Sequence, residues 1–294
     1  MCIVAIAWQL FDEVPLVLLS NRDEFLQRPT ESLHQWPDKP IYAGRDSQSG
    51  GTWLGIHSQN DRQNSSQNSI QEDNHNECYH QNGRWAAVLN FRDGVQASSN
   101  ERSRGELVTD FLTSTLSPMT FARQISLQDY AGFNLIIGDA RQAVIVNNRG
   151  HAPTPLHAGL HVFSNGQPEE GWFKTERLRG RLRQEVLPLI GENSSPEYWQ
   201  DAAFTVMSDS TLAPIDKLPE TGVAIEIEQA LSSIYIEPAE LTGSDKAMPN
   251  YGTRTQSILT LSVSNLDTEA DEQSLSESRY TTTLISREFN SDMV

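Results

Sequence analysis

The stretch Cys2-Ile3-Val4-Ala5-Ile6-Ala7-Trp8, followed after five residues by Val14-Pro15-Leu16-Val17-Leu18-Leu19-Ser20, decides the architecture. Both are short runs of aliphatic and β-branched side chains bounded by polar or acidic residues, the pattern of buried strands. Residues 2–10 read as one strand and Val14 to Ser20 as a second, with Phe11-Asp12-Glu13 as the hairpin turn. Asn21-Arg22-Asp23-Glu24 closes the second strand, and the hairpin returns it beside residues 1–3.

Further along, Gly50-Gly51-Thr52-Trp53-Leu54-Gly55-Ile56 reads as a turn entering a third strand, and residues 84–92 as a fourth. Residues 101–115 place Leu107, Val108, Phe111 and Leu112 on one face of an amphipathic helix. Pro118 opens a short helix through Ile125. Phe133 to Ile137 and Ala143 to Val146 form a strand pair turning at Gly138-Asp139, and Leu160 to Ser164 is another strand. Phe173 to Ile190 is a basic helix whose Arg177, Arg179, Arg181 and Arg183 alternate along a solvated surface. Ser195 to Ser208 is a helix capped at Ser195-Pro196, and Ser257 to Val263 and Tyr280 to Ser286 are late strands. Strands and helices come in blocks, which predicts an α+β protein with largely antiparallel sheets.

The chain has 294 residues and a net charge of −17, enough length for a full core and the wrong sign for a phosphate backbone. Nucleic acid is therefore not an expected partner. Two cysteines exclude a disulfide-stapled scaffold. No apolar run reaches the ~20 residues of a membrane span, and no basic segment precedes the first apolar stretch as a secretory signal requires. A cytoplasmic location is expected. The insertion at 57–83 is rich in Gln and Asn, eleven of the 24 residues from 59 to 82, and reads as disordered. His75, Cys78 and His80 within it lack a second ligand pair, so no metal is expected. Residues 265–277 read as an acidic linker. The whole chain, 1–294, is read as a single domain.

Cys2 carries the chemistry. Removal of Met1 leaves a thiol and a free α-amine on one residue, with reference pKa values of ~8.5 and ~7.7–8.0. The amine then serves as base for its own nucleophile; the structural alternative is a small side chain starting a buried strand. Arg22 and Asp23 face this position across the hairpin, as thiolate partner and amine acceptor or as a strand-end ion pair. Asn90 and Asn165 each end an apolar strand, where an amide either donates to an oxyanion or closes a turn. Arg254, ahead of a late strand, offers a second cation or a solvated strand entry.

Met-Cys-Ile at the start, Asn21-Arg22-Asp23-Glu24, Gly50-Gly51-Thr52-Trp53-Leu54-Gly55 and Leu89-Asn90-Phe91-Arg92 together resemble the NRDE family, the family of transport and Golgi organization protein 2. Ser164-Asn165, Trp172-Phe173-Lys174, Leu218-Pro219-Glu220-Thr221-Gly222-Val223, Leu231-Ser232-Ser233-Ile234 and Tyr251-Gly252-Thr253-Arg254 extend the resemblance. The family is similar, more distantly, to the cysteine N-terminal nucleophile hydrolases that include penicillin V acylase and bile salt hydrolase. That similarity implies a four-layer αββα sandwich and cleavage of a linear acyl amide, a carbon–nitrogen bond other than a peptide bond. It implies Cys2 as nucleophile, Arg22 and Asp23 beside it, Asn90 and Asn165 at the oxyanion, and Arg254 as a late arginine, with no cofactor. The alternative it implies is a non-catalytic binding or trafficking protein for haem or acyl/lipid ligands on the same fold. The insertion and the acidic linker depart from the family pattern and touch none of these residues.

Overall fold

Strand β1 (Cys2–Trp8) is buried at every residue, and its alternation sends the side chains into two different cores. Cys2, Val4, Ile6 and Trp8 enter one, and Ile3, Ala5 and Ala7 enter the other. A strand apolar on both faces needs a packed layer on each side. Both layers are present in the computed structural model, which describes residues 2–58, 77–80, 83–95, 98, 100–192, 194–242, 247–264 and 279–289.

In chain order β1 is followed by β2 (Leu16–Phe25), β3 (Thr30–Gln35), β4 (Ile41–Asp46) and β5 (Leu54–His57). Next come β6 (Glu77–His80), β7 (Trp85–Asn90), α1 (Arg104–Thr113) and α2 (Pro118–Gln124). Then follow β8 (Phe133–Gly138), β9 (Ala143–Asn147), β10 (Thr154–Pro155) and β11 (Gly159–Phe163). Helices α3 (Phe173–Glu185), α4 (Leu187–Gly191), α5 (Pro196–Met207) and α6 (Ile225–Ala230) precede β12 (Ala239–Thr242), β13 (Ala247–Ser264) and β14 (Arg279–Glu288).

The strands form two antiparallel sheets. One runs β11-β1-β2-β13-β14-β6, with β12 added to β13; the other runs β10-β9-β8-β7-β5-β4-β3. Val4, Ile6, Trp8, Leu18 and Leu259 of the first sheet pack on Ile56, Trp85, Ala87 and Ile136 of the second. The Trp8 and Trp85 rings lie 6.3 Å apart at this seam. Helices α3, α4 and α5 cover the outer face of the first sheet, with Leu178, Ile190 and Phe204 against Val17, Val162 and Ile258. Helices α1 and α2 cover the second, with Leu107, Phe111 and Ala122 against Ala86, Leu135 and Val146. The layer order is therefore helices, sheet, sheet, helices, the four-layer αββα sandwich that the family resemblance implies. Each buried aliphatic side chain adds roughly 1.5–3 kcal/mol to this packing.

The first hairpin has the expected register, with Cys2 opposite Arg22 and Trp8 opposite Leu16. Asn21 to Glu24 continue β2 instead of closing it, because β13 pairs with the same residues from the other side. The predicted helix from Phe173 to Ile190 breaks at Val186, two residues before Pro188, whose missing N–H ends α3 and suits the first turn of α4. Sequence periodicity missed β3 and β4, since β3 is a partly exposed edge strand with polar residues on both faces. The alternating arginines of α3 are not all simply solvated: Arg177 and Arg181 both reach Asp209 Oδ2, at 2.7 and 2.9 Å. Four residues of the insertion, Glu77–His80, pair with β14, placing Cys78 opposite Thr282. His75, most of the insertion and the 265–277 linker lie outside the described residues. No described helix is long and apolar enough to cross a membrane.

Candidate active site

The open end of the β1–β2 hairpin carries the site, because antiparallel pairing forces Cys2 and Arg22 to adjacent positions. Here lies a cavity of about 290 Å³ lined by Cys2, Arg22, Asp23, Trp53, Asn90 and Arg104, among others. The Arg22 guanidinium stacks 4.3 Å over the Trp53 ring and reaches Asp46 Oδ2 at 3.5 Å. Arg28 holds the same Asp46 oxygen at 2.6 Å. Asp46 Oδ1 in turn accepts from the Gln48 and Ser49 N–H groups, so one carboxylate ties the arginines to the Gly50-Gly51 turn.

Asp23 is anchored by the opposite strand. Its Oδ1 accepts from Thr253 Oγ1 at 2.7 Å, and its backbone carbonyl accepts from Tyr251 Oη at 2.8 Å. Burial pushes the Asp23 carboxyl up, opposed by Lys174, by the Thr253 bond and by Arg92. Burial likewise pushes the Cys2 thiol up, and the Asp23 carboxylate adds to this, while Arg22 pulls the other way. Burial therefore favours the neutral thiol, and the backbone hydrogen bond from Asp23 together with Arg22 favours the thiolate.

Asn90 lies in the cavity wall at the end of β7. Asn165 does not line the cavity. Its Nδ2 donates to the Asn90 carbonyl at 2.8 Å, and its Oδ1 accepts from Ser164 Oγ, which also donates to the Cys2 carbonyl at 3.1 Å. Asn165 thus ties the Asn90 and Cys2 backbones together from beside the cavity. Arg254 sits at a β-bulge: Thr253 pairs with Asp23 and Thr255 with Arg22, leaving Arg254 between them. Its guanidinium donates to the Arg28 carbonyl and to Thr30 Oγ1, the hydroxyl that Arg22 also reaches, so it stands beside Arg22 without lining the cavity itself. Arg104, at the start of α1, does line the cavity.

Sequence reasoning also missed a buried charge cluster behind Asp23. Lys174 is 2% exposed, donates to the Leu231 carbonyl at 3.2 Å, and has its pKa lowered to about 8, by burial first and by Arg92 second. The charges of Asp23 and Cys2 work against that lowering. Arg92 meets Glu228 at 3.0 Å, both almost fully buried, and lies over the Trp172 ring. The signal was available: Arg92 and Lys174 each sit inside a stretch that carries the family resemblance, beside residues that read as strand or core. A charge embedded in such a stretch needs a buried partner. Among the described residues, no group of three or more His, Cys, Asp or Glu side chains is placed to hold a metal.

The profile of the family described as Transport and Golgi organisation 2 matches residues 1–277 of this chain. The human Transport and Golgi organization protein 2 homolog is 29% identical over 263 residues, covering 83% of this chain and 81% of that protein. The bovine homolog is 27% identical over 258 residues with the same coverage. Among solved structures, a Caenorhabditis elegans N-acylethanolamine-hydrolyzing acid amidase ortholog is similar at 10% identity and a TM-score of 0.41, covering 70% of this chain and 86% of that one.

Proposed function

The chain belongs to the Transport and Golgi organisation 2 family, and on that premise we propose that the cavity at Cys2 hydrolyses the carbon–nitrogen bond of a linear acyl amide. The observation that carries this reading is the convergence of Cys2, Arg22, Asp23 and Asn90 on one cavity at the end of the hairpin. After Met1 is removed, the α-amine of Cys2 takes the thiol proton, which offsets the upward push of burial on the thiol. The sulfur attacks the carbonyl carbon, forming a carbon–sulfur bond. Asn90 donates to the oxyanion, a contact worth about 2.7–4 kcal/mol in such sites. The α-ammonium returns the proton to the leaving nitrogen as the carbon–nitrogen bond breaks. Water then cleaves the thioester, releasing the acid and restoring the thiol. Asp23 holds the ammonium, and Arg22 faces the sulfur.

The lining weighs against the alternative of a carrier for haem or an acyl/lipid ligand. Eight of the residues around the cavity are charged, Arg22, Arg28, Arg102, Arg104, Asp23, Glu24, Asp46 and Glu101, whereas sites for apolar ligands are lined mainly by apolar side chains. Intact mass spectrometry tests the hydrolase reading. The expected spectrum lacks Met1 and, with a panel of acyl amides, gains an acyl adduct on Cys2 that the Cys2→Ala variant cannot form. Full turnover by a protein that retains Met1 would sink the mechanism.

A further inference from the structure

Four arginines line the cavity, and three are already committed to carboxylates. Arg22 and Arg28 share Asp46, and Arg102 is bound by Glu106 and Asp110. Arg104 makes no ion pair among the described residues, and the one hydrogen bond found for its guanidinium there is from Nη1 to the Gly132 carbonyl at 3.1 Å. Burial disfavours its charge, and the ionised form of Cys2, Glu24 and Glu101 oppose that effect without forming an ion pair with it. An arginine held in a partly desolvated wall with spare donors gains most from an anion that arrives with the ligand.

Its position is set by backbone on backbone. Gly105 lies against the Gly51 turn so closely that a Cβ on Gly51 would stand 2.7 Å from the Gly105 carbonyl carbon, and one on Gly105 would stand 2.9 Å from the Thr52 nitrogen. The start of α1 is thereby locked beside the loop that carries Trp53. Ser103, Arg104 and Gly105 all line the cavity, and the Ser103 side chain does not cap the helix. The first-turn N–H groups thus lack that acceptor and add to the preference for an anion at this wall.

We propose that Arg104 is a specificity-determining residue that binds a carboxylate of the ligand, which makes the substrate a small acyl amide bearing a carboxylate, of the N-acyl amino acid class. This rests on the amidase reading for the identity of the bond cleaved, but not for the recognition of the carboxylate. The guanidinium fork matches a carboxylate in two parallel bonds. The cavity volume of about 290 Å³ suits a ligand of this size, at the lower end of the ~300–1,000 Å³ range of small-molecule sites.

Titration calorimetry of the full chain with N-acetylglycine and N-acetylglycinamide, which differ only in the carboxylate, tests the proposal. The acid is expected to bind about tenfold or more tightly than the amide. Arg104→Gln is expected to bring the ratio close to one, and Arg104→Lys to keep part of it, with circular dichroism showing both variants folded. Equal binding of the two probes by the wild type, a preference that survives Arg104→Gln, or no binding of either probe overturns it. An Arg104-dependent preference without any acyl adduct on Cys2 leaves the recognition standing and refutes the amidase. Turnover of neutral amides without a carboxylate preference does the reverse.

Discussion

Replacing Asn21 with Ala separates bracing from chemistry within the Asn21-Arg22-Asp23-Glu24 stretch. Asn21 is fully buried, and its Nδ2 donates to the Met207 and Ile234 carbonyls, both at 2.8 Å. Met207 is the last residue of α5, so one of these bonds satisfies a helix-end carbonyl that has no partner within the helix. The substitution removes two bonds worth ~0.5–1.5 kcal/mol each and strands two buried acceptors, for a total loss of about 2–4 kcal/mol. At ~2.1 cal/mol/K of unfolding entropy per residue, a chain of 294 residues loses about 5 °C in Tm for 3 kcal/mol. Differential scanning calorimetry measures the shift. Asn21→Asp is expected to lose at least as much near neutral pH, because a carboxylate then faces two carbonyl oxygens, and to recover on acidification. Alkylation of Cys2 by iodoacetamide, read by mass spectrometry below the melting transition, is expected to stay within about twofold of the wild type. A Tm unchanged within about 1 °C together with lost Cys2 alkylation would refute the reasoning and move Asn21 into the chemistry.

Two further predictions concern the surroundings of the site. Lys174 titrates at about 8 in the fold against ~10.4 in an unfolded chain, so between those values the unfolded chain binds the extra proton and stability from this group rises with pH. Lys174→Met is expected to remove that rise, up to ~3 kcal/mol, in thermal melts from pH 7 to 10; an unchanged pH slope refutes it. At the paired glycines, Gly51→Ala is expected to cost about 1–3 kcal/mol by overpacking, because of the 2.7 Å approach to Gly105. Gly50→Ala meets no atom and pays only for its φ of +73°, about 1–2 kcal/mol. Urea titration ranks the two, and the opposite order would show that the Gly51–Gly105 contact does not set the loop.

Much of the frame was legible because it rests on local pattern. The β1–β2 hairpin, the α1 face and the β8–β9 pair each follow from periodicity and turn residues within about twenty-five positions. The hairpin alone places Arg22 opposite Cys2, so the heart of the candidate site also came from local pairing. The edge strand β3 was lost because an exposed edge has no apolar alternation to read. Arg104 was lost for a different reason: nothing in its neighbouring residues says which partners the fold withholds from it.

The sequence by itself determined a double-faced apolar strand at the chain start and a charged pair opposite Cys2, since both depend on spacing and antiparallel register. Tertiary structure decided which chemistry-bearing side chains share the cavity. Long-range pairing of β13 with β2 sets Arg254 at a bulge beside Arg22, and the Asn165 amide reaches the Asn90 carbonyl. The Gly51–Gly105 approach brings Arg104 in, across more than fifty residues of chain. These outcomes depend on which distant backbones can approach each other and which buried groups then find partners, and neither is written in any local stretch of residues.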